Sequence, residues 1–118
     1  MSVMVYGLSA CSTVQKALGW LDAHGIAYSF HDFKTQGADE AKLNAWCKLA
    51  GWEKVMNRAS LTYRGLSAGD KENLDQAKAI VLMMAKPTLI RRPVLETGET
   101  VLRGFSEKQY RETFGVSP

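Results

Sequence analysis

Two cysteines are the residues of this chain with the strongest intrinsic reactivity, because a thiolate is a good nucleophile. Cys11 and Cys47 lie 36 positions apart, so they form neither a C-x-x-C dithiol nor the paired spacing of a zinc site. The two histidines, His24 and His31, have no partner at ligand spacing and predict no metal site either. The chemistry expected of this sequence is therefore that of a single thiol.

The local sequence favours Cys11 over Cys47 as the reactive thiol. Cys11 follows an apolar segment and a loop of small residues, and it precedes a predicted helix whose first residues, Ser12 and Thr13, are good N-cap types. Backbone N–H groups and the helix dipole stabilise a thiolate there and lower the thiol pKa from its usual value of about 8.5. Cys47 falls on the apolar stripe of a later predicted helix, where we expect a buried, unreactive thiol.

Arginine side chains provide the anion-binding chemistry that would complement such a thiolate. Arg92 is followed by Pro93, and an X-Pro bond is the common place for a cis peptide, which would direct backbone groups beside the Cys11 loop. Arg58, Arg64 and Arg103 are further candidates for binding an anionic substrate. The alternatives at these positions are solvated surface arginines and an ordinary edge-strand proline.

Composition and charge exclude several classes of protein. A chain of 118 residues with 46% hydrophobic and 23% charged residues fits one compact domain with a hydrophobic core. The longest apolar run, residues 79–85, is far shorter than the about 20 residues of a transmembrane helix, and no secretory signal is recognisable. The net charge of +3 is spread without a basic block, so nucleic-acid binding is not expected. We expect a cytoplasmic monomer with both thiols reduced.

Hydrophobic periodicity predicts the elements that position Cys11 and Arg92. The first half of the chain contains a strand at residues 3–6, a helix at 13–24, a strand at 26–32, a polar connection at 34–37 and a helix at 38–50. A short helical turn at 53–57 and a polar loop at 58–69 follow. The next helix is predicted to bury Leu74, Ala77, Val81 and Met84.

The last third of the chain returns to strands. An apolar strand is predicted from Leu89, interrupted at Pro93 and resumed at residues 94–96, with a hairpin leading to a strand at 100–102. An amphipathic helix after Ser106 turns Tyr110 and Phe114 inward. This β-α-β, helices, β-β-α order predicts an α/β, thioredoxin-like fold with a mixed sheet flanked by helices. Residues 1–35 and 86–118 would form its thioredoxin-like part, and 36–85 an all-helical insertion.

Five short segments of the chain are informative together: residues 5–7 (VYG), 11–17 (CSTVQKA), 24–26 (HGI), 51–54 (GWEK) and 86–95 (KPTLIRRPVL). Over roughly residues 3–114 the chain resembles the ArsC/Spx family. Gly104, Phe105 and the Trp52 segment make it most similar to the YffB-type branch, whose members are described as glutathione-dependent thiol reductases. The resemblance implies a thioredoxin-like fold with a helical insertion, Cys11 as nucleophile, and Arg92 and Pro93 beside it.

The chain departs from the other branches of that family at positions that carry chemistry. Arsenate reductases of the family place three arginines around the cysteine; here Arg92 matches, while Asn57 and Phe105 occupy the other two positions. Those reductases also have a histidine four positions before the cysteine, where this chain has Gly7. Spx-type regulators use a C-x-x-C switch, and Val14 occupies the position of its second cysteine.

The resulting hypothesis is a monothiol reductase in which the Cys11 thiolate attacks an electrophilic sulfur, such as a mixed disulfide with glutathione. Because no resolving cysteine neighbours Cys11, free glutathione regenerates the thiolate as a co-substrate, with no bound cofactor or metal. Its expected partner is glutathione or another small thiol or disulfide, without direct nucleic-acid or membrane binding. An arsenate reductase and a non-catalytic Spx-like binding protein are the alternatives. The predicted substrate-binding residues are Ser12, Thr13, Arg58, Arg92 and Pro93.

Overall fold

The computed structural model describes residues 2–98 and 100–117. Within these residues the strands are Val3–Gly7 (β1), Ser29–Asp32 (β2), Val94–Thr97 (β3) and Thr100–Arg103 (β4). The helices are Ser12–Ala23 (α1), Phe33–Gln36 (α2), Glu40–Ala50 (α3), Trp52–Val55 (α4), Leu61–Arg64 (α5), Ala68–Lys71 (α6), Gln76–Ala85 (α7) and Glu107–Phe114 (α8), with a 3₁₀ turn at Pro87–Leu89. None of the described helices has the length and apolarity needed to cross a bilayer.

The chain is organised in two compact units. The first, here called the sheet unit, comprises the described parts of residues 1–33 and 92–118 and contains β1–β4 with α1 and α8. The second, the helical unit, comprises residues 34–91 and contains α3–α7. Cys11 and Arg92 belong to the sheet unit, whereas Cys47 and Arg58 belong to the helical unit.

A mixed four-stranded sheet with the order β2-β1-β3-β4 forms the centre of the sheet unit. β1 pairs in parallel with β2, and such a pair requires a crossover, which α1 provides. On its other side β1 pairs antiparallel with β3, so that Val5 lies opposite Leu95, and β3 forms a hairpin with β4. This topology confirms the predicted thioredoxin-like α/β fold.

Helix α1 forms and packs as its apolar spacing predicts. Val14, Ala17 and Leu21 recur on one face and are all fully buried. The helix ends at His24, and Gly25, with φ +67°, takes the left-handed conformation that favours glycine after a helix. Together with β1, β3 and α8 it encloses a core of Val3, Val5, Ala17, Trp20, Leu21, Leu95 and Tyr110. The predicted inward orientation of Tyr110 is thereby confirmed.

In the helical unit, α3 and α7 both bury apolar side chains. α3 begins at Asp39, whose carboxylate accepts a hydrogen bond from the Lys42 N–H at 3.2 Å. Leu43, Trp46 and Cys47 form its buried face, so the predicted burial of Cys47 is confirmed.

Three single-turn helices occupy segments that were predicted to be non-helical. The predicted connection at residues 34–37 contains most of α2, and the predicted polar loop at 58–69 contains α5 and the start of α6. Ser60 and Ser67 are the N-cap residues of α5 and α6, and their hydroxyls accept hydrogen bonds from the N–H groups of Tyr63 and Asp70 at 3.1 Å. A helix of one turn is too short to show apolar periodicity, which is why the pattern missed it.

Three further sequence predictions were wrong in detail. α7 buries Ala79, Ile80 and Met83. Of the residues predicted to face inward, Ala77, Val81 and Met84 are exposed, and Leu74 lies before the helix. The apolar run there covers the whole helix circumference, so its spacing does not define a buried face. Residues 89–90 do not form a strand, since Leu89 ends the 3₁₀ turn and Ile90 makes an isolated bridge with Met56. The second strand begins only at residue 29.

Substituting Tyr110 with Phe tests how the core of the sheet unit tolerates a polar atom. Tyr110 packs edge-on against Phe105 and Trp20, with ring centroids 4.8 and 5.6 Å away. Its buried hydroxyl has no hydrogen-bond partner among the described residues. We expect Tyr110→Phe to keep or raise the free energy of unfolding, by up to about 1 kcal/mol, because it removes a desolvated hydroxyl and keeps the ring.

Tyr28→Phe is the matched control, measured by the same denaturant titration. The Tyr28 hydroxyl interacts with the Asp22 carboxylate, so its removal should lower the free energy of unfolding by up to about 1 kcal/mol. A larger loss for Tyr110→Phe than for Tyr28→Phe would contradict this description of the core.

Candidate functional site

Cys11 is the N-cap residue of α1, at the end of the loop that leaves β1. Its backbone is extended, with φ −78° and ψ 125°, and its carbonyl accepts the first intrahelical hydrogen bond from the Gln15 N–H at 3.0 Å. The Cys11 N–H donates to the Leu8 carbonyl at 3.0 Å, and the Gln15 side-chain amide donates to the Ser9 carbonyl at 3.0 Å. The prediction that Ser12 or Thr13 caps the helix was therefore wrong, because the cysteine itself holds that position.

The position of the sulfur decides its acidity. Burial raises the pKa of the Cys11 thiol, but the backbone N–H groups of Val14 and Thr13 outweigh that effect together with the guanidinium of Arg92. The result is a pKa below the ordinary value for a thiol. Neither N–H makes a regular capping hydrogen bond to the sulfur, so their influence is that of nearby dipoles directed at a thiolate.

Arg92 is the cationic partner of Cys11 within the sheet unit. Its charge and its N–H donors both lower the pKa of the Cys11 thiol. Its Nε and Nη1 atoms are buried and have no hydrogen-bond partner among the described residues. Buried guanidinium donors without an acceptor are costly, and a bound anion would satisfy them with charge-assisted hydrogen bonds.

Pro93 anchors Arg92 to the sheet. The Arg92–Pro93 peptide bond is cis, and Pro93 is buried directly before β3. The Pro93 carbonyl accepts a hydrogen bond from the Gly104 N–H at 2.8 Å, beyond the end of β4. Because β3 pairs with β1, this attachment brings Arg92 to the end of the sheet where β1 leads into the Cys11 loop.

The remaining predicted site residues have different surroundings. Ser12 is exposed, and Thr13 is partly buried and contributes its backbone N–H to the sulfur. Arg58, in the helical unit, is exposed and lies over the Trp52 ring, with its guanidinium carbon 5.4 Å from the ring centroid. The substrate contacts of these three side chains stay predictions.

Cys47 has none of the features that activate Cys11. It is 2% exposed, and burial together with the negative charge of Glu53 raises the pKa of its thiol. A buried thiol with a raised pKa holds little thiolate near neutral pH. Among the residues described, no group of three His, Cys, Asp or Glu side chains is arranged to hold a metal ion.

Val14 contributes a backbone N–H to the site, a role that the sequence analysis did not predict for it. It is the third residue of α1, so its N–H is one of the unpaired donors of the first turn. The sequence could have predicted this role once Cys11 was taken as the N-cap residue, because the N–H three residues after an N-cap is the usual donor to the capping side chain.

With this geometry established, comparison with known proteins identifies the family. The ArsC family model matches residues 6–113. The chain belongs to the ArsC family.

Three related proteins illustrate the breadth of this similarity. The solved structure of the YFFB (PA3664) protein is 48% identical with a TM-score of 0.92, covering 94% of this chain and 97% of that one.

A second solved structure, an arsenate reductase (ArsC) related protein from Brucella melitensis, is 43% identical with a TM-score of 0.76, covering 97% of this chain and 95% of that one. The global transcriptional regulator Spx of Lactiplantibacillus plantarum is 24% identical over 111 residues, which is 92% of this chain and 83% of that protein. The resemblance to the ArsC/Spx family, and to its YffB-type branch in particular, is thereby confirmed.

The role of Arg92 in this ArsC-family chain can be measured through the reactivity of the thiol. Arg92→Met removes the positive charge beside the sulfur, so we expect the pH midpoint of Cys11 alkylation by iodoacetamide to move upward. At pH values below the midpoints of both proteins, Cys11 of the variant should be alkylated more slowly than Cys11 of the parent protein. The difference should be roughly tenfold for each pH unit by which the midpoint rises. Mass spectrometry of the Cys11 peptide reports the rate, and Cys47 serves as a slowly reacting internal reference.

Arg91→Met is the matched control for this experiment. The Arg91 side chain is exposed and its Nε donates to the Lys54 carbonyl at 3.2 Å in the helical unit. This variant should leave the midpoint where it is in the parent protein. Equal midpoints for the Arg91 and Arg92 variants would refute the assignment of Arg92 as the partner of the thiolate.

The lowered pKa of Cys11 also makes stability depend on pH. Between the folded pKa and the value of about 8.5 expected in the unfolded chain, the folded state binds fewer protons. The free energy of unfolding, taken relative to Cys11→Ser, should therefore rise with pH through this window. The gain is complete above about pH 8.5 and is lost as the pH falls through the folded pKa. Denaturant titrations at several pH values check this, and a flat difference would contradict it.

Proposed function

We propose that this protein is a cytoplasmic, glutathione-dependent monothiol reductase in which Cys11 is the nucleophile. The observation that carries the proposal is the pairing of an acidified thiol with a guanidinium whose Nε and Nη1 atoms are buried without a partner among the described residues. The thiol supplies the reactive group, and the guanidinium supplies a binding site for an anion next to it.

The proposed reaction is a pair of thiol–disulfide exchanges. The Cys11 thiolate attacks the glutathione sulfur of a mixed disulfide, the original S–S bond breaks, and the substrate leaves as a thiolate that takes a proton from water. A second glutathione, as its thiolate, attacks the Cys11–glutathione disulfide, releasing oxidised glutathione and regenerating the Cys11 thiolate. In total, two glutathionyl groups become oxidised glutathione and the substrate sulfur is reduced to a thiol.

Glutathione suits this site because it carries its own carboxylates. In the proposal Arg92 binds one of them, so that its unpartnered donors gain charge-assisted hydrogen bonds while the glutathione sulfur approaches Cys11. Ser12, Thr13 and Pro93 would line the same end of α1, and Arg58 is a further candidate for a carboxylate. The reaction needs no bound cofactor, metal, nucleic acid or membrane, and a monomer suffices for it.

Arsenate reduction is the second candidate, favoured by the same unpartnered Arg92 donors, which suit an oxyanion equally well. The other two positions that hold arginine in the family's arsenate reductases do not provide cations here. The Asn57 side-chain oxygen accepts a hydrogen bond from the Ala59 N–H at 3.1 Å, and Phe105 packs on Tyr110. Glutathione is therefore the preferred substrate, since it needs fewer cationic contacts than a small oxyanion.

Incubation with oxidised glutathione tests the nucleophile directly. Attack by the Cys11 thiolate on one sulfur forms Cys11–glutathione disulfide and releases reduced glutathione. Intact-mass analysis should show one glutathionyl group per chain, and peptide analysis should locate it on Cys11. Added reduced glutathione should remove it. Cys11→Ser should form no adduct, while Cys47→Ser should form as much as the parent protein.

A turnover assay with a small glutathione mixed disulfide separates the candidate functions. Arg92→Met should raise KM by roughly tenfold, because a charge-assisted hydrogen bond contributes about 1.5 kcal/mol. Arg91→Met should not change it. Adduct formation without turnover would support a non-catalytic, Spx-like binding role instead, and arsenate-dependent oxidation of glutathione would support the arsenate reductase.

A further inference from the structure

The Val14 side chain packs against the bare backbone of Gly7, on either side of the Cys11 loop in the chain. Gly7 is the last residue of β1, and Val14 lies in the first turn of α1. A Cβ atom built on Gly7 would lie 2.6 Å from Cγ2 of Val14 and 3.3 Å from its Cγ1. Both residues are buried. The Val14 side chain therefore occupies the space that any side chain at position 7 would need.

The backbone conformation of Gly7 does not explain why glycine stands there. Gly7 is not among the glycines of this chain with positive φ, and it continues the strand register opposite Asp32. Most L-residues can adopt an extended strand conformation. The constraint on position 7 is therefore steric, and it comes from Val14.

Val14 links this steric contact to the reactive sulfur. Its side chain rests on Gly7, and its backbone N–H, together with that of Thr13, is directed at Cys11. Moving the side chain of Val14 away from β1 would move the first turn of α1, and the N–H donors of that turn would move with it. Donor effects of this kind fall off within the first helical turn, so small displacements matter.

We propose that the contact of Val14 with the bare Cα of Gly7 is the positioning element of the site, setting how closely the first-turn N–H groups of α1 approach the Cys11 sulfur. Gly7 and Val14 are thus positioning residues that act through the helix and do not touch the substrate. The inference deepens the proposed function, on which it rests, by assigning a role to two positions where family relatives carry a histidine and a second cysteine.

The geometry specifies a pair of compensating substitutions. In Gly7→Ala the new methyl group collides with Val14, which must shift and carry the first turn of α1 outward. In Val14→Ala the contact is lost and the turn is no longer supported. In the double variant both Cγ atoms of residue 14 are gone, and its Cβ lies 3.6 Å from the new Cβ of residue 7, an ordinary van der Waals distance. The double variant should therefore restore the position of the helix.

The measurement is the pH profile of Cys11 alkylation by iodoacetamide, resolved by peptide mass spectrometry. Gly7→Ala and Val14→Ala should each move the midpoint upward, and below the midpoints each should slow alkylation by roughly threefold or more. The double variant should lie closer to the parent protein than either single variant. Gly19→Ala adds the same methyl group in α1, where no atom lies within 4 Å apart from the neighbouring residues and the helix's own backbone, and it should leave the profile unchanged.

The comparison of Val14→Ala with the double variant decides the proposal even where Gly7→Ala alone fails to fold. Combining Gly7→Ala with Val14→Ala should bring the midpoint back down from that of Val14→Ala alone; an equal or higher midpoint overturns the proposal. A Gly7→Ala variant that folds and keeps the alkylation midpoint of the parent protein would also overturn the proposal. Since alkylation needs no glutathione, absence of a glutathione adduct on the parent protein would refute the proposed function while leaving these midpoints to be judged separately.

Discussion

A partly buried thiolate persists only where fixed dipoles and charges replace the water that it has lost, and Cys11 meets this condition at the start of α1. Burial alone would raise the pKa of its thiol. The first-turn N–H groups and the Arg92 guanidinium outweigh that effect, so the pKa of the Cys11 thiol is lowered. Each of these groups acts over a short range, and the site therefore depends on how precisely the helix, the strand and the arginine are held relative to the sulfur.

The sheet supplies that precision by joining segments that are distant along the chain. β1 leads into the Cys11 loop, and β3, paired antiparallel with β1, begins directly after Arg92 and Pro93. The Pro93 carbonyl is bound by the Gly104 N–H, which ties the arginine to the end of β4 as well. Backbone pairing thus fixes the distance between nucleophile and cation, while the side chains of the loop remain accessible for a substrate. Cys47, which lacks such donors, stays an inert core residue.

The departures from the family's arsenate reductases acquire structural meaning in this arrangement. Asn57 closes a turn through its side-chain oxygen, and Phe105 packs edge-on against Tyr110. Gly7 and Val14 fill the space between β1 and α1 that a histidine at position 7 could not share with a valine at position 14. Positions that carry charge or a second thiol in relatives thus support packing in this chain. Among the described residues, Arg92 is the cation whose charge acts on the Cys11 thiol, and the proposed disulfide substrate suits this arrangement because it brings its own reducible sulfur.

The sequence alone determined the α/β class, the strand-loop-cysteine-helix order and the choice of Cys11 over Cys47, because these follow from local apolar periodicity and from residue types at a helix start. It also indicated Arg92 and Pro93, through the X-Pro bond that follows the arginine and through the family resemblance. Only the tertiary structure decided which face of α7 is buried, that residues 58–69 contain helical turns, and that Cys11 itself caps α1. It alone revealed the contact of Gly7 with Val14 and the unpartnered donors of Arg92. The buried face of α7 and the surroundings of Arg92 depend on segments far apart in sequence, which a linear pattern does not contain. The one-turn helices, the cap of α1 and the contact of Gly7 with Val14 depend on local backbone geometry, which apolar periodicity does not encode.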